Sequence, residues 1–195
     1  MKLGHIALIA TAAVTVLTWA LSHPATTISF GFGLAQLFGT LALTALACGA
    51  IISTRLPTVT RLIPSYATHK WLGITAFCLV LIHVAIFLLD AWSRANPSKS
   101  PLSHIGAGAV MILVVLIPLA LLGNKMQRKT WQRFHTLMVI PYAIGLIHYY
   151  GCSSFAPFGA SPISIWMDVV NLIGIAAMSY AILFAGRTHS PKPTS

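Results

Sequence analysis

The sequence predicts an all-α polytopic membrane protein, a bundle of six transmembrane helices with both termini on the cytoplasmic side. Three observations carry that expectation. Of the 195 residues, 57% are hydrophobic and 7% charged, with two acids, Asp90 and Asp168, and no glutamate. Six apolar stretches each approach or exceed the roughly 20 residues that a helix needs to cross the hydrocarbon core of a bilayer. The basic residues gather on one side of those stretches. Such a composition excludes a soluble globular domain. No second compact region lies outside the stretches, so residues 1–195 read as a single membrane domain without a flavin or nicotinamide module.

The first stretch, Leu3 to Ser22, follows Lys2 and ends in small residues, which also suits a secretory signal. Its apolar run exceeds the usual 7 to 15 residues of a signal, so a retained helix is the better reading; cleavage would leave five spans. The second runs from Phe30 to Ser53, and Gly31 and Gly33 at its start allow close helix packing. The third, Trp71 to Trp92, carries Asp90 near its outer end, where a carboxylate can snorkel to water. The fourth, Ile105 to Gly123, opens with Gly106 and Gly108, again a packing signal. The fifth, Phe134 to Tyr150, contains Pro141, and the sixth, Ile163 to Gly186, contains Asp168 near the outer boundary, which reads like Asp90 as a carboxylate snorkelling to water rather than accepting a hydrogen bond within the bundle. Cys48 and Cys78 read as small buried hydrophobes, and Cys152 as an unpaired outer thiol.

Charge sets the orientation. Lys2, Arg55, Arg61, Lys70, Lys125, Arg128, Lys129, Arg133, Arg187 and Lys192 fall on one side, and only Arg94 and Lys99 on the other. Loops rich in Lys and Arg stay cytoplasmic. The net charge of +10 therefore needs no nucleic acid, and suits membrane lipid headgroups or an acidic cytoplasmic partner. The sequence shows no phosphate-binding glycine loop, no paired acids and no Ser/His/Asp set, which leaves hydrolytic and phosphoryl chemistry without residues.

Eight histidines against two acids is an unusual ratio, because a polar ring in hydrocarbon is costly without a partner. His5, His23, His104 and His189 lie at boundaries or in the tail and read as interfacial. His69 and His83 bracket the third span, and His135 and His148 the fifth. Each pair is separated by about 20 Å of helix at 1.5 Å per residue. The two spans run in the same direction, so His69 and His135 are level near the cytoplasmic face, and His83 and His148 are level further out. Two facing imidazoles at one depth suit a low-spin haem iron, which takes a nitrogen on each side of the macrocycle. Fourteen residues at about 100° each leave about 40°, placing His69 and His83 on one face. Thirteen leave about 140°, so His135 and His148 share a face only if Pro141 kinks or unwinds the helix. A histidine-lined proton or metal transporter is the competing reading, weakened by the scarcity of intramembrane carboxylates.

The segments His69-Lys-Trp-Leu-Gly, with His83 fourteen residues on, and Trp131-Gln-Arg-Phe-His135, with Ile147-His148 thirteen on, resemble the ferric reductase-like transmembrane domain. That superfamily comprises the haem cores of ferric reductases and NADPH oxidases and the haem-binding subunits of bacterial methionine sulfoxide reductase systems. The resemblance covers roughly Arg55 to Phe184. It implies four axial ligands to b-type haem, His69 paired with His135 and His83 with His148, two haems in all. Histidine at position 69 resembles the two-haem reductases and oxidases rather than the methionine sulfoxide reductase subunits, where a basic residue is expected.

The implied function is an electron-transfer cytochrome b of the inner membrane, an oxidoreductase or the electron-carrying subunit of one. A separate flavoprotein reductase or a quinol would serve as donor, and ferric iron, a periplasmic redox partner or oxygen as acceptor. Lys70, Arg128, Lys129 and Arg133 are placed at the inner interface to meet haem propionates, though orientation alone accounts for them. Trp71, Phe77 and Trp131 are placed to pack on porphyrin, or to act as ordinary interface anchors.

Overall fold

The computed structural model describes residues 3–22, 30–63, 66–93, 101–152 and 161–184. These form helices α1 (Leu3–Ser22), α2 (Phe30–Ser53), α3 (Pro57–Leu62), α4 (Tyr66–Ser93), α5 (Pro101–Leu121), α6 (Arg128–Thr136), α7 (Val139–Cys152) and α8 (Pro162–Phe184), with a single 3₁₀ turn at Leu122–Lys125. No strand occurs among the described residues. Four segments are long and apolar enough to span a bilayer: Leu3–Ser22, Phe30–Ser53, Ala67–Leu89 and Pro162–Phe184. In α5 the apolar run Ile105–Leu121 is shorter, and α7 has 14 residues. His23, Arg94, Lys99 and His189 lie outside the described residues, as do the side chains of Asp90, His104, Arg128 and Cys152.

The first two helices have the bounds expected from hydropathy. Along α1 the hydroxyls of Thr11, Thr15, Thr18 and Ser22 each donate to the carbonyl four residues back, which satisfies polar groups that lipid cannot. Helix α2 is the centre of the bundle and packs on α4, α8 and α1. Its buried positions are mostly small, among them Ala35, Ala42, Ala45, Ala47 and Gly49, and small residues let helix backbones approach in a medium that offers no hydrophobic driving force.

The end of α2 is turned by Arg55, whose φ of 52° lies in the left-handed region normally left to glycine. Pro57 then begins α3, where its missing N–H costs nothing. This short helix has no counterpart in the expected spans, because six residues carrying one arginine produce no hydropathy signal.

Helix α8 is pinned by polar contacts inside an apolar cluster of Leu43, Ala47, Tyr142, Leu146, Ile163, Met167 and Val170. Trp166 Nε1 donates to Thr15 Oγ1 at 2.8 Å, and Thr15 Oγ1 lies 3.3 Å from Thr44 Oγ1. The backbone N–H of Ile163 donates to Ser22 Oγ at 3.0 Å. Asp168 accepts from Tyr150 Oη at 2.8 Å, so this acid pairs with a phenol on α7 rather than reaching for water. Cys78 is exposed on the outer surface of α4 and Cys48 is half-buried, so only the second approaches the buried environment expected of both.

The expected fifth span, Phe134 to Tyr150, is not one helix. It divides into α6 and α7 at Leu137–Met138, where the backbone passes through tight turns, Leu137 N to Phe134 O and Met138 N to His135 O. Pro141 is the cause. A proline cannot donate to the carbonyl four residues back, and its ring clashes with that carbonyl, which here belongs to Leu137. The Leu137 carbonyl instead accepts from Ile140 N at 3.0 Å. His135 is therefore carried by a separate short helix, α6.

Candidate functional site

Each imidazole of interest is placed by a different local device. Along α4, His69 and His83 point to the same side, toward α2, and Ala76 midway between them is buried at 1% exposure. The Nδ1 of His69 lies 3.1 Å from the carbonyl of Gly49, and the Nδ1 of His83 lies 2.7 Å from the carbonyl of Ala35. A carbonyl only accepts, so both Nδ1 atoms carry the proton and both Nε2 atoms present a lone pair. The register is antiparallel. Position 35 meets 83 and position 49 meets 69, so the 14-residue interval of α4 is matched by an equal interval on α2.

The partners come from the other side. His69 Nε2 faces His135 Nε2 at 3.3 Å, with ring centroids 5.5 Å apart and planes at 70°. His83 and His148 have centroids 6.3 Å apart and planes at 76°. A first-row metal bonds imidazole nitrogen at about 2.0–2.1 Å, so two trans ligands sit about 4 Å apart at nitrogen and about 6.4 Å apart at ring centre. The outer pair has that separation, and the inner pair is somewhat closer. α4 packs mainly on α2 and α7 mainly on α5, so each outer histidine belongs to a different helix pair.

Behind each ring stands a distinct support. A Cβ built on Gly39 would lie 3.1 Å from His83 Nδ1, and one built on Gly106 would lie 2.7 Å from both Cε1 and Nδ1 of His148. His135 is held by Trp131, whose indole stacks on the imidazole at 4.8 Å and 11°. The indole N–H in turn donates to the carbonyl of Ala120 at 3.1 Å. That carbonyl lies in the last turn of α5, where carbonyls lack intrahelical donors. The Nδ1 of His135 is buried without a hydrogen-bond partner among the described residues.

The profile of the family described as "Ferric reductase like transmembrane component" matches residues 38–146, more than half of the chain. The chain belongs to this family. Membership indicates transmembrane electron transfer, and the match takes in His69, His83, Trp131 and His135 together with Gly39, Gly49 and Gly106, ending two residues before His148. No curated protein matches the chain.

The structure thus draws together, in two layers, all four histidines that the sequence singled out in this ferric reductase-like domain. It does not gather the other candidates around them to the same degree. Trp71 is 63% exposed, on the outward face of α4, where an interface anchor belongs. Lys70, Lys129 and Arg133 are exposed, and Phe77 is half-buried.

Two features went unread in the sequence. Gly39 and Gly49 lie inside α2, where glycine registers only as a helix-weakening residue. Gly106 was legible as a small residue that permits packing, and what it packs against is an imidazole.

The donor set itself bears on which group fits. Among the described residues no cluster of three or more His, Cys, Asp or Glu side chains occurs, whereas structural zinc usually takes four ligands. Two opposed imidazoles, one of each pair held in tautomer by a backbone carbonyl at its second nitrogen, match the needs of bis-histidine haem.

Proposed function

We propose that this protein is a six-span b-type cytochrome of the inner membrane, with both termini cytoplasmic and two haems stacked across the bilayer. His69 and His135 would hold the inner haem, and His83 and His148 the outer. The observation that carries the reading is the doubled layer: two imidazole pairs, each with its α4 member fixed at Nδ1 by a carbonyl of α2. Haem supplies a one-electron ferric/ferrous couple, and the protein sets its potential through ligand basicity, burial and spacing.

The chain's own residues perform the rest. The carbonyls of Gly49 and Ala35 hold the α4 rings in the tautomer that ligates. Helix α4 fixes the interval between the layers at about 21 Å along its axis, from fourteen residues at 1.5 Å each. Apolar side chains of α2, α5 and α7 keep water from the layers. The direction of flow is from a cytoplasmic flavoprotein, docking on the basic inner face around Arg61, Lys125 and Lys129, or from a quinol, to an extracytoplasmic acceptor such as ferric iron, a periplasmic redox partner or oxygen.

The test is a reduced-minus-oxidised absorbance spectrum of the detergent-purified protein with haem quantified per chain. Two low-spin b-type haems per chain are expected. No haem from cells amply supplied with it would overturn the proposal and favour a histidine-lined proton or metal pathway.

A further inference from the structure

The outer pair is enclosed between two glycines on helices that carry no ligand of that layer. Gly39 of α2 stands behind His83, and Gly106 of α5 stands behind His148. We propose that Gly39 and Gly106 are positioning residues of the outer redox centre: they admit the two imidazoles against helix backbones and so set their orientation and basicity. The proposal rests on the haem reading above and adds to it the residues that tune one haem separately from the other.

The argument for Gly39 is geometric. In an α-helix the Cα–Cβ bond tilts toward the N-terminus, so a side chain covers the turn before its own Cα. Residue 39 is therefore the one whose side chain would cover the carbonyl of residue 35. With glycine there, His83 reaches that carbonyl at 2.7 Å. A Cβ at position 39 would stand 3.1 Å from Nδ1, 3.3 Å from Cε1 and 3.6 Å from Cγ of the same ring. The nitrogen nearest the added carbon is the one that donates the hydrogen bond. His83 must yield by a few tenths of an ångström, and the bond to Ala35 lengthens first, because it is made by the ring atom nearest the added carbon.

For Gly106 the margin is smaller. An added Cβ meets Cε1 and Nδ1 of His148 at 2.7 Å and Cγ at 3.0 Å, a separation that no Cβ tolerates, so the ring must leave its place. Neither demand arises at Gly108, two residues further along α5, where an added Cβ meets nothing within 4 Å.

A histidine that donates its second N–H to a carbonyl is a more basic ligand, and loss of such an outer partner commonly weakens metal affinity by about 10- to 100-fold. A more basic ligand favours ferric over ferrous iron. Gly39→Ala is therefore expected to raise the midpoint potential of the outer haem and to speed its loss to a haem-binding competitor, while the inner haem keeps its potential. Gly106→Ala is expected to lower outer haem occupancy below one per chain with the inner haem retained. Gly108→Ala is expected to change neither haem.

The experiment is a spectroelectrochemical titration of the full chain and each variant in detergent, with haem counted per chain. In the wild type, proton ENDOR on the low-spin ferric signals supplies a readout that needs no variant: the outer centre is expected to show an exchangeable, hydrogen-bonded Nδ1 proton. Two haems in the wild type with both potentials unmoved in Gly39→Ala would overturn the positioning role and leave the haem reading standing. Absence of the ENDOR signal would overturn it even if Gly39→Ala failed to fold. A wild type without haem would instead overturn the haem reading itself.

Discussion

Replacing Trp131 by alanine removes the support of His135 without touching a ligand. The indole contributes in two ways. Its stacking on the imidazole at 4.8 Å and 11° belongs to the class of aromatic contacts that contribute about 0.5–1.5 kcal/mol beyond burial. Its N–H bond to the Ala120 carbonyl contributes about another 0.5–1.5 kcal/mol net. Together they amount to about 2 kcal/mol spent on holding one ring in one orientation. At 1.4 kcal/mol per tenfold, haem affinity at the inner site is expected to fall about 30-fold in Trp131→Ala. Trp131→Phe keeps most of the stack and loses the hydrogen bond, about 1 kcal/mol, so about a fivefold loss is expected. The assay is the rate and extent of haem transfer to excess apomyoglobin, followed separately for the two centres by their spectra. Wild-type retention of both haems in Trp131→Ala would refute the reasoning, as would selective loss of the outer haem.

The ring planes cross at 70° in the inner pair and 76° in the outer. Near-perpendicular axial imidazoles produce strongly anisotropic low-spin ferric EPR spectra, so both centres are expected to show a single large-g feature; ordinary rhombic spectra would contradict the geometry. Trp166→Phe deprives the fully buried Thr15 hydroxyl of its indole donor and is expected to destabilise the bundle by about 1–2 kcal/mol, read as an earlier thermal transition in detergent with haem content unchanged. Pro141→Ala removes the clash that separates α6 from α7. A continuous helix would turn His135 about 140° from His148, so inner haem occupancy is expected to fall while the outer is kept, measured by haem per chain.

The fold was legible wherever hydropathy alone decides an element. α1 and α2 begin and end at the expected residues because their lengths match a bilayer and no proline interrupts them. α4 starts at Tyr66 rather than Trp71, since polar His69 and Lys70 lower the apolar average without breaking the helix. The fifth span was not legible as two helices. Pro141 pointed to a disturbance, yet only the turn at Leu137–Met138 shows that it falls at the carbonyl four residues earlier and separates α6 from α7.

Histidine spacing was legible in depth, since rise per residue fixes level, and the four rings do meet in two layers. What spacing could not reveal was the backing of each ring. Carbonyl acceptors leave no mark on a sequence, and a glycine inside a small-residue helix looks the same whether it faces an alanine or an imidazole. The role of Trp131 lay between these cases: its place four residues before His135 was visible, and its stack and its bond to α5 were not.

The most direct measurement is haem per chain and the reduced-minus-oxidised spectrum for the wild type, His69→Ala and His83→Ala, each purified in detergent. Two haems in the wild type and one in each variant, with the inner centre lost in the first and the outer in the second, is the result the two-layer account predicts. A single haem in the wild type that survives His69→Ala would contradict it, and would confine electron transfer to the His83 layer.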